Sequence, residues 1–186
     1  MKKILINTFI AFLLSSVLYF NSNAQRMGNA STSRNETDVF TKNIEKSFNY
    51  DSASILAVSS VNTKALKHFK RSFRQAADVR WCSAADGTIA FFIQNGIKTR
   101  ADYDKKGHWL HNISTYTEKN LPKEVRAEVK STYYDYSISC VNEIVTDTQL
   151  IYVIQIDDES SWKILRLENG EMNIVGEYVK SGHDVK

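Results

Sequence analysis

Proline occurs once in this chain, at Pro122, and cysteine twice, at Cys82 and Cys140. A single proline rules out a proline-rich linker between domains. Two cysteines are too few for a disulfide scaffold or a four-cysteine zinc site. Seven glycines without a period exclude collagen-like sequence. A Gly-rich phosphate loop, a nucleophile elbow and an HExxH pair are also missing. The scattered carboxylates single out no glycosidase pair without geometry. The chain therefore reads as a non-enzyme, with no catalytic residue, cofactor or metal assigned. What is present is 42% hydrophobic and 11% aromatic residues over 186 positions. That is too apolar for a disordered tail and sufficient for one ordinary domain or two small ones, so the composition points to a compact α+β protein.

The first residues address compartment. Met1-Lys2-Lys3 is a short basic region, Ile4 to Phe20 is mostly apolar, and Ser22-Asn23-Ala24 places small residues before Gln25. That order is a secretory signal peptide over 1–24, cleaved after Ala24. About 17 residues interrupted by Asn7, Ser15 and Ser16 fall short of the ~20 that a membrane span needs. No cysteine near the cleavage site could carry a lipid anchor. The expectation is a periplasmic or secreted protein, free of the membrane once cleaved. Cleavage removes Lys2 and Lys3 and no acid, so 22 basic residues face 21 acidic ones and the formal charge of +3 falls to +1. Bulk attraction to nucleic acid or anionic membrane is thereby excluded.

Residues 25–38 are polar and small and read as a disordered arm. Val39, Phe40, Ile44 and Phe48 sit at helical spacings and Ile55 to Val58 could be a strand, so 25–60 forms an arm with an accessory segment. From Val61 the pattern sharpens. Asn62 is a good N-cap, Val61 and Leu66 can staple the first turn, and Leu66, Phe69 and Phe73 line one face of a helix. Val79-Arg80-Trp81, Ile89 to Gln94, Ile97 to Tyr103 and His108 to Ile113 then read as strands. They are separated by turns at Asp86-Gly87, Asn95-Gly96 and Asp104 to Gly107.

The same order recurs. Leu121, Val125, Val129 and Tyr133 repeat every four residues, with Pro122 in a first turn where its missing N–H costs nothing. Ile138 to Val141, Leu150 to Ile156, Trp162 to Leu167 and Met172 to Val179 follow as strands. Tyr152-Val153-Ile154-Gln155 echoes Phe91-Phe92-Ile93-Gln94. Phe73 matches Tyr133 at an offset of 60, Val79 matches Ile138 at 59, and Gly107 matches Gly170 at 63. A period of about 60 residues predicts an internal duplication, 61–115 and 120–179, within one domain over 61–180.

The run Phe73…Ala77-Asp78-Val79-Arg80-Trp81, an acidic-glycine turn, an apolar strand, and then Ala101-Asp102-Tyr103-Asp104-Lys105-Lys106-Gly107-His108-Trp109 resembles the β-lactamase-inhibitor-like, PepSY-like family secreted by Bacteroidetes-type bacteria. Leu121-Pro122-Lys123-Glu124-Val125 and the strands around Asn169-Gly170 extend the resemblance over about residues 61–179. The second unit departs from the pattern, with Leu167 and Met172 where the first has Tyr103 and Trp109. The family's Tyr-Pro after the helix is absent from both units. The resemblance implies tandem helix-plus-four-strand units sharing one antiparallel sheet with helices on one face. It implies no established activity and supplies no catalytic residues, because fold likeness does not transfer function.

Cys82 and Cys140 lie near equivalent strands, so a disulfide would tie the two units together. Yet Trp81 is the residue matched to Cys140, which turns Cys82 to the opposite face, so a bridge and two separate thiols both stand. His108 and His111 are three apart in a strand and point to opposite faces, which disfavours a shared metal. Asp102 to Gly107 imitates a calcium loop but has Lys106 and Ile113 where acid ligands belong, and reads as a hairpin turn. Lys64, Lys67, Lys70, Arg71 and Arg74 form a basic stripe on the first helix, read as a solvated face, with contact to an acidic partner or envelope glycan as the other reading.

If Ala101 and Tyr103 face the helices, so do Leu165 and Leu167. Trp162, Ile164 and Arg166 then share the other face with Lys98, Arg100 and Asp102. A Trp and an Ile on an uncovered sheet suit a binding hot spot. The expected function is an exported, non-catalytic binding module presenting this face to an unknown protein partner or to a second copy, inhibitor-like binding included. The alternative is a small-ligand- or glycan-binding or structural envelope protein, dimeric or not.

Overall fold

The computed structural model describes residues 55–180. The expected signal peptide, the polar arm and most of the accessory segment lie outside the described residues. Strand β1 (Ile55–Leu56) leads through a short 3-10 turn into helix α1 (Thr63–Ser72). Strands β2 (Ala77–Ala84), β3 (Gly87–Gln94), β4 (Ile97–Asp104) and β5 (Trp109–Tyr116) follow. A second 3-10 turn precedes helix α2 (Lys123–Thr132), and then come β6 (Ser137–Val145), β7 (Leu150–Asp157), β8 (Ser161–Glu168) and β9 (Glu171–Val179). The strands form one nine-stranded sheet in sequence order, every neighbouring pair antiparallel. The α+β class is as the composition indicates, and β1 is one strand more than the two runs of four.

Local chemistry explains where the elements begin and end. The Asn62 side chain accepts a hydrogen bond from the Lys64 N–H at 2.9 Å and so caps α1. Pro122 stands immediately before α2, where a proline gives up no helical hydrogen bond. Both helices end alike. Phe73 (φ −120°, ψ 58°) and Tyr133 (φ −120°, ψ 59°) each close the last turn onto the carbonyl four residues back. The β3–β4 and β8–β9 hairpins turn on Asn95-Gly96 and Asn169-Gly170, with positive φ at all four residues. That is the two-residue turn whose twist suits paired strands.

The pairing places both helices on one face. Thr99 pairs with Ser114, Ser114 with Glu143 and Glu143 with Tyr152, and directly paired residues share a face. Thr99 alternates on β4 with Ala101 and Tyr103, which pack under α1 with Trp81, Ala90 and Phe92. Tyr152 packs under α2 with Val129, Val141, Ile154, Leu165 and Leu167. Aromatic rings fill the first cluster, with Phe69 against Trp81 at 5.3 Å and against Phe92 at 5.0 Å between centroids. Aliphatic side chains dominate the second, joined by Tyr116 and Tyr152.

Four bulges interrupt the ladder. The extra residue lies near the start of β2, at Ser139 in β6, at Leu110 in β5 and at Val175 in β9. Each reverses the inward–outward alternation on its own strand but not on its neighbour. This corrects the expectation for the cysteines. Trp81 faces α1, but Ser139 turns Cys140 away from the helices, so Cys82 and Cys140 lie on the same face. They are nonetheless four strand steps apart, about 19 Å at ~4.8 Å per step, whereas a disulfide needs Cα atoms within about 7 Å. Both are buried thiols.

Candidate binding face of the sheet

The face opposite the helices is built by alternation. On β4 it carries Lys98, Arg100 and Asp102, and on β5 His111, Ile113 and Thr115. Asn142 and Ile144 follow on β6, Ile151, Val153 and Gln155 on β7, and Trp162, Ile164, Arg166 and Glu168 on β8. Its middle is apolar and screened from water, with Ile151 1% and Ile164 2% exposed. Its charged groups cluster toward the two sides.

On the β4–β5 side, Arg100 grips Asp102 with two hydrogen bonds, Nε to Oδ2 at 2.9 Å and Nη2 to Oδ1 at 2.6 Å. The paired residue His111 brings Nε2 to 3.3 Å from Asp102 Oδ2. Asp102 and His111 are both buried. Burial pushes the Asp102 carboxyl up, but hydrogen bonds from His111 and Arg100 and the guanidinium charge outweigh it and hold it below the ordinary carboxylate range. His108 is elsewhere, exposed in the β4–β5 turn with Nδ1 3.0 Å from Asp104 Oδ2. The two imidazoles thus serve different carboxylates. The Asp104–Gly107 segment is a hairpin turn, in which the Gly107 N–H donates to the Asp104 carbonyl at 2.9 Å.

On the β8–β9 side, the Trp162 indole lies flat on the Tyr178 ring, with centroids 3.9 Å apart and planes 13° from parallel. Both rings are half-buried. Arg166 pairs with Glu168, which also accepts from Gln149. Among the described residues no group of three His, Cys, Asp or Glu side chains is arranged to hold a metal ion.

The structure therefore brings the sequence-selected residues together in two groups, Lys98 with Arg100 and Trp162 with Arg166, separated by β5, β6 and β7. Lys98 is exposed, while Arg100, Trp162 and Arg166 are half-buried. Ile164 shares their face but packs instead of presenting a surface, as its 2% exposure requires. Tyr178 and the Asp102–His111 contact went unread in the sequence. Val175 shifts the alternation of β9 and Leu110 that of β5, and a bulge leaves no mark within a single strand.

Solved structures with this arrangement exist. A BLIP-like protein from Bacteroides fragilis superposes with a TM-score of 0.53 at 15% identity, covering 68% of this chain and 91% of that one. The fold is BLIP-like. A DUF2874 family protein from Bacteroides ovatus gives 0.53 at 17% identity, with 64% and 88% covered. One from Bacteroides uniformis gives 0.51 at 15%, with 64% and 89% covered. No family model matches the chain. No curated protein is similar to it either. The BLIP-like fold agrees with the resemblance carried by Ala101 to Trp109, and at these identities it establishes fold alone. One sheet face packs against the helices, and the other carries no helix among the described residues. No helix among the described residues is long and apolar enough to cross a membrane.

Proposed function

We propose that this chain is an exported, non-catalytic binding module that offers the helix-free face of its sheet to a protein partner. The observation that carries the reading is the alternation that turns Lys98 and Arg100 on one side, and Trp162 and Arg166 on the other, to that same face. Three of these are held in place by neighbours on the same face: Arg100 by Asp102, Arg166 by Glu168 and Trp162 by Tyr178. Aromatic and arginine side chains pre-positioned in this way are what protein interfaces use as anchors. Export rests on the basic, apolar and small-residue order of residues 1–24. It is supported by a structural neighbour from Bacteroides eggerthii, at 18% identity, that is provisionally assigned to the periplasm.

The reading includes a duplicated architecture, in which 61–115 and 120–179 are two helix-plus-four-strand units. The element order, the helix ends 60 residues apart at Phe73 and Tyr133, and the bulge in the first long strand after each helix all support it.

A photo-crosslinking amino acid at position 98 or 162 tests the function in envelope extract, with position 134 as control, since Tyr134 is 78% exposed. One protein captured at 98 and 162 but not at 134 is the expected result. Equal capture at all three, or none, overturns the reading. A melting temperature raised by a glycan or other small molecule, with no protein captured, would favour the ligand-binding alternative.

A further inference from the structure

A second surface lies on the other side of the molecule. Lys64, Lys67, Lys70 and Arg71 on α1, and Arg74 just beyond it, are all exposed, and none makes an ion pair with a described residue. Lys64, Lys67 and Arg71 stand at i, i+3 and i+7, which is one line along a helix, and Arg74 follows in the turn after it. Lys70 flanks the line. The β4–β5 hairpin extends the patch, because Gly107 packs so closely that a Cβ there would fall 2.4 Å from Asn62 Oδ1. This sets exposed Lys105 and Lys106 beside the start of α1. The hairpin's carboxylate, Asp104, is turned inward on its own loop and accepts from the Lys106 and His108 N–H groups.

The fold does not demand this charge pattern. Helix α2 has the same ten-residue length and the same ending on the same sheet face, yet it mixes Lys123, Arg126 and Lys130 with Glu124 and Glu128. In α1 there is no acid, so its cations repel one another at i, i+3 and i+4, and Lys64 sits at the positive end of the helix dipole. The sequence without residues 1–24 is nearly neutral, with 22 basic and 21 acidic residues, so this is segregation of charge and not excess. The apolar residues of α1 are spent inward, Ala65 and Phe69 buried and Leu66 packed on the same cluster. None is left to enter a bilayer, which sets the helix apart from interfacial membrane helices.

We propose that α1 and the β4–β5 hairpin form a docking stripe for a linear polyanion of the acidic-polysaccharide class. An exposed line of cations dominated by lysine, on a helix whose apolar side chains pack inward, matches repeated charge along a chain and not a single shaped anion.

Heparin serves as the probe, with the chain lacking residues 1–24. Binding should weaken at least tenfold between about 50 and 200 mM salt, as counterion release requires. Lys67→Gln with Lys70→Gln should cost about tenfold at low salt. Lys119→Gln with Lys123→Gln, which changes net charge equally, should leave binding intact. All four positions are exposed, and unchanged melting temperatures confirm folding. Absence of heparin binding, or equal losses in both variants, overturns the proposal. So does stronger α1-dependent binding to phosphatidylglycerol vesicles than to heparin, which would assign the stripe to a membrane. The crosslinking outcome at positions 98 and 162 is independent of all these results.

Discussion

His111 Nε2 lies 3.3 Å from Asp102 Oδ2, on residues paired directly across β4 and β5, and Arg100 holds both oxygens of the same carboxylate. A buried carboxylate held by a guanidinium and an imidazole is costly to remove, because its partners stay behind without it. Asp102→Asn should destabilise the fold by about 2–4 kcal/mol in urea titrations. A change below about 0.5 kcal/mol would mean that Arg100 finds solvent and that the cluster is not structural.

The same carboxylate sets an acid limit. Its pKa is lower folded than unfolded, so the unfolded chain binds the proton more readily. The stabilisation is fully present above the unfolded value, about 3.9, and is lost as pH falls through the folded value. Stability measured downward from pH 5 should therefore decline less steeply in Asp102→Asn than in the unaltered protein. Identical slopes would remove Asp102 from the account.

Cys82 and Cys140 should both remain thiols even in an oxidising compartment, since four strand steps separate them. Mass spectrometry of the non-reduced protein should show no two-hydrogen deficit. Burial pushes the Cys140 thiol up to about 12, so it should resist alkylation until the protein unfolds. A bridged species would contradict the strand order itself.

Gly107 and Gly170 share a φ of +78°, but only Gly107 faces a wall. Gly170→Ala should cost about 1 kcal/mol, the backbone penalty alone. Gly107→Ala should cost roughly 1–2 kcal/mol more, because its Cβ meets Asn62 and the Ala65 amide in the first turn of α1. Thermal melts of the two variants side by side measure the difference. Equal costs would mean that the hairpin does not bear on α1.

Trp162 and Tyr178 give a test on the candidate face. A double-mutant cycle with Trp162→Ala and Tyr178→Ala should report a coupling of about 1 kcal/mol for the stacked rings. Ile164→Ala should cost about 2–4 kcal/mol as a buried large-to-small change, and Lys98→Ala less than about 0.5. Binding lost in Lys98→Ala at unchanged stability would separate recognition from folding.

What the residues determine by themselves is local. Leu66, Phe69 and Phe73 place α1, the Asn-Gly pairs at 95–96 and 169–170 place two hairpins, and alternation on β4 and β8 sorts Ala101 and Leu165 from Arg100 and Arg166. Each depends on a repeat distance or a backbone preference contained within a few neighbours. What tertiary structure decides is everything that compares two strands. Ser139 sends Cys140 to the face of Cys82, Leu110 sets His111 against Asp102, and Val175 lays Tyr178 under Trp162. A bulge is defined by the partner strand it fails to match, so it is invisible in one strand alone. The burial of Ile164 is of the same kind. Its direction follows from its position in β8, but its 2% exposure depends on what surrounds it in the folded molecule.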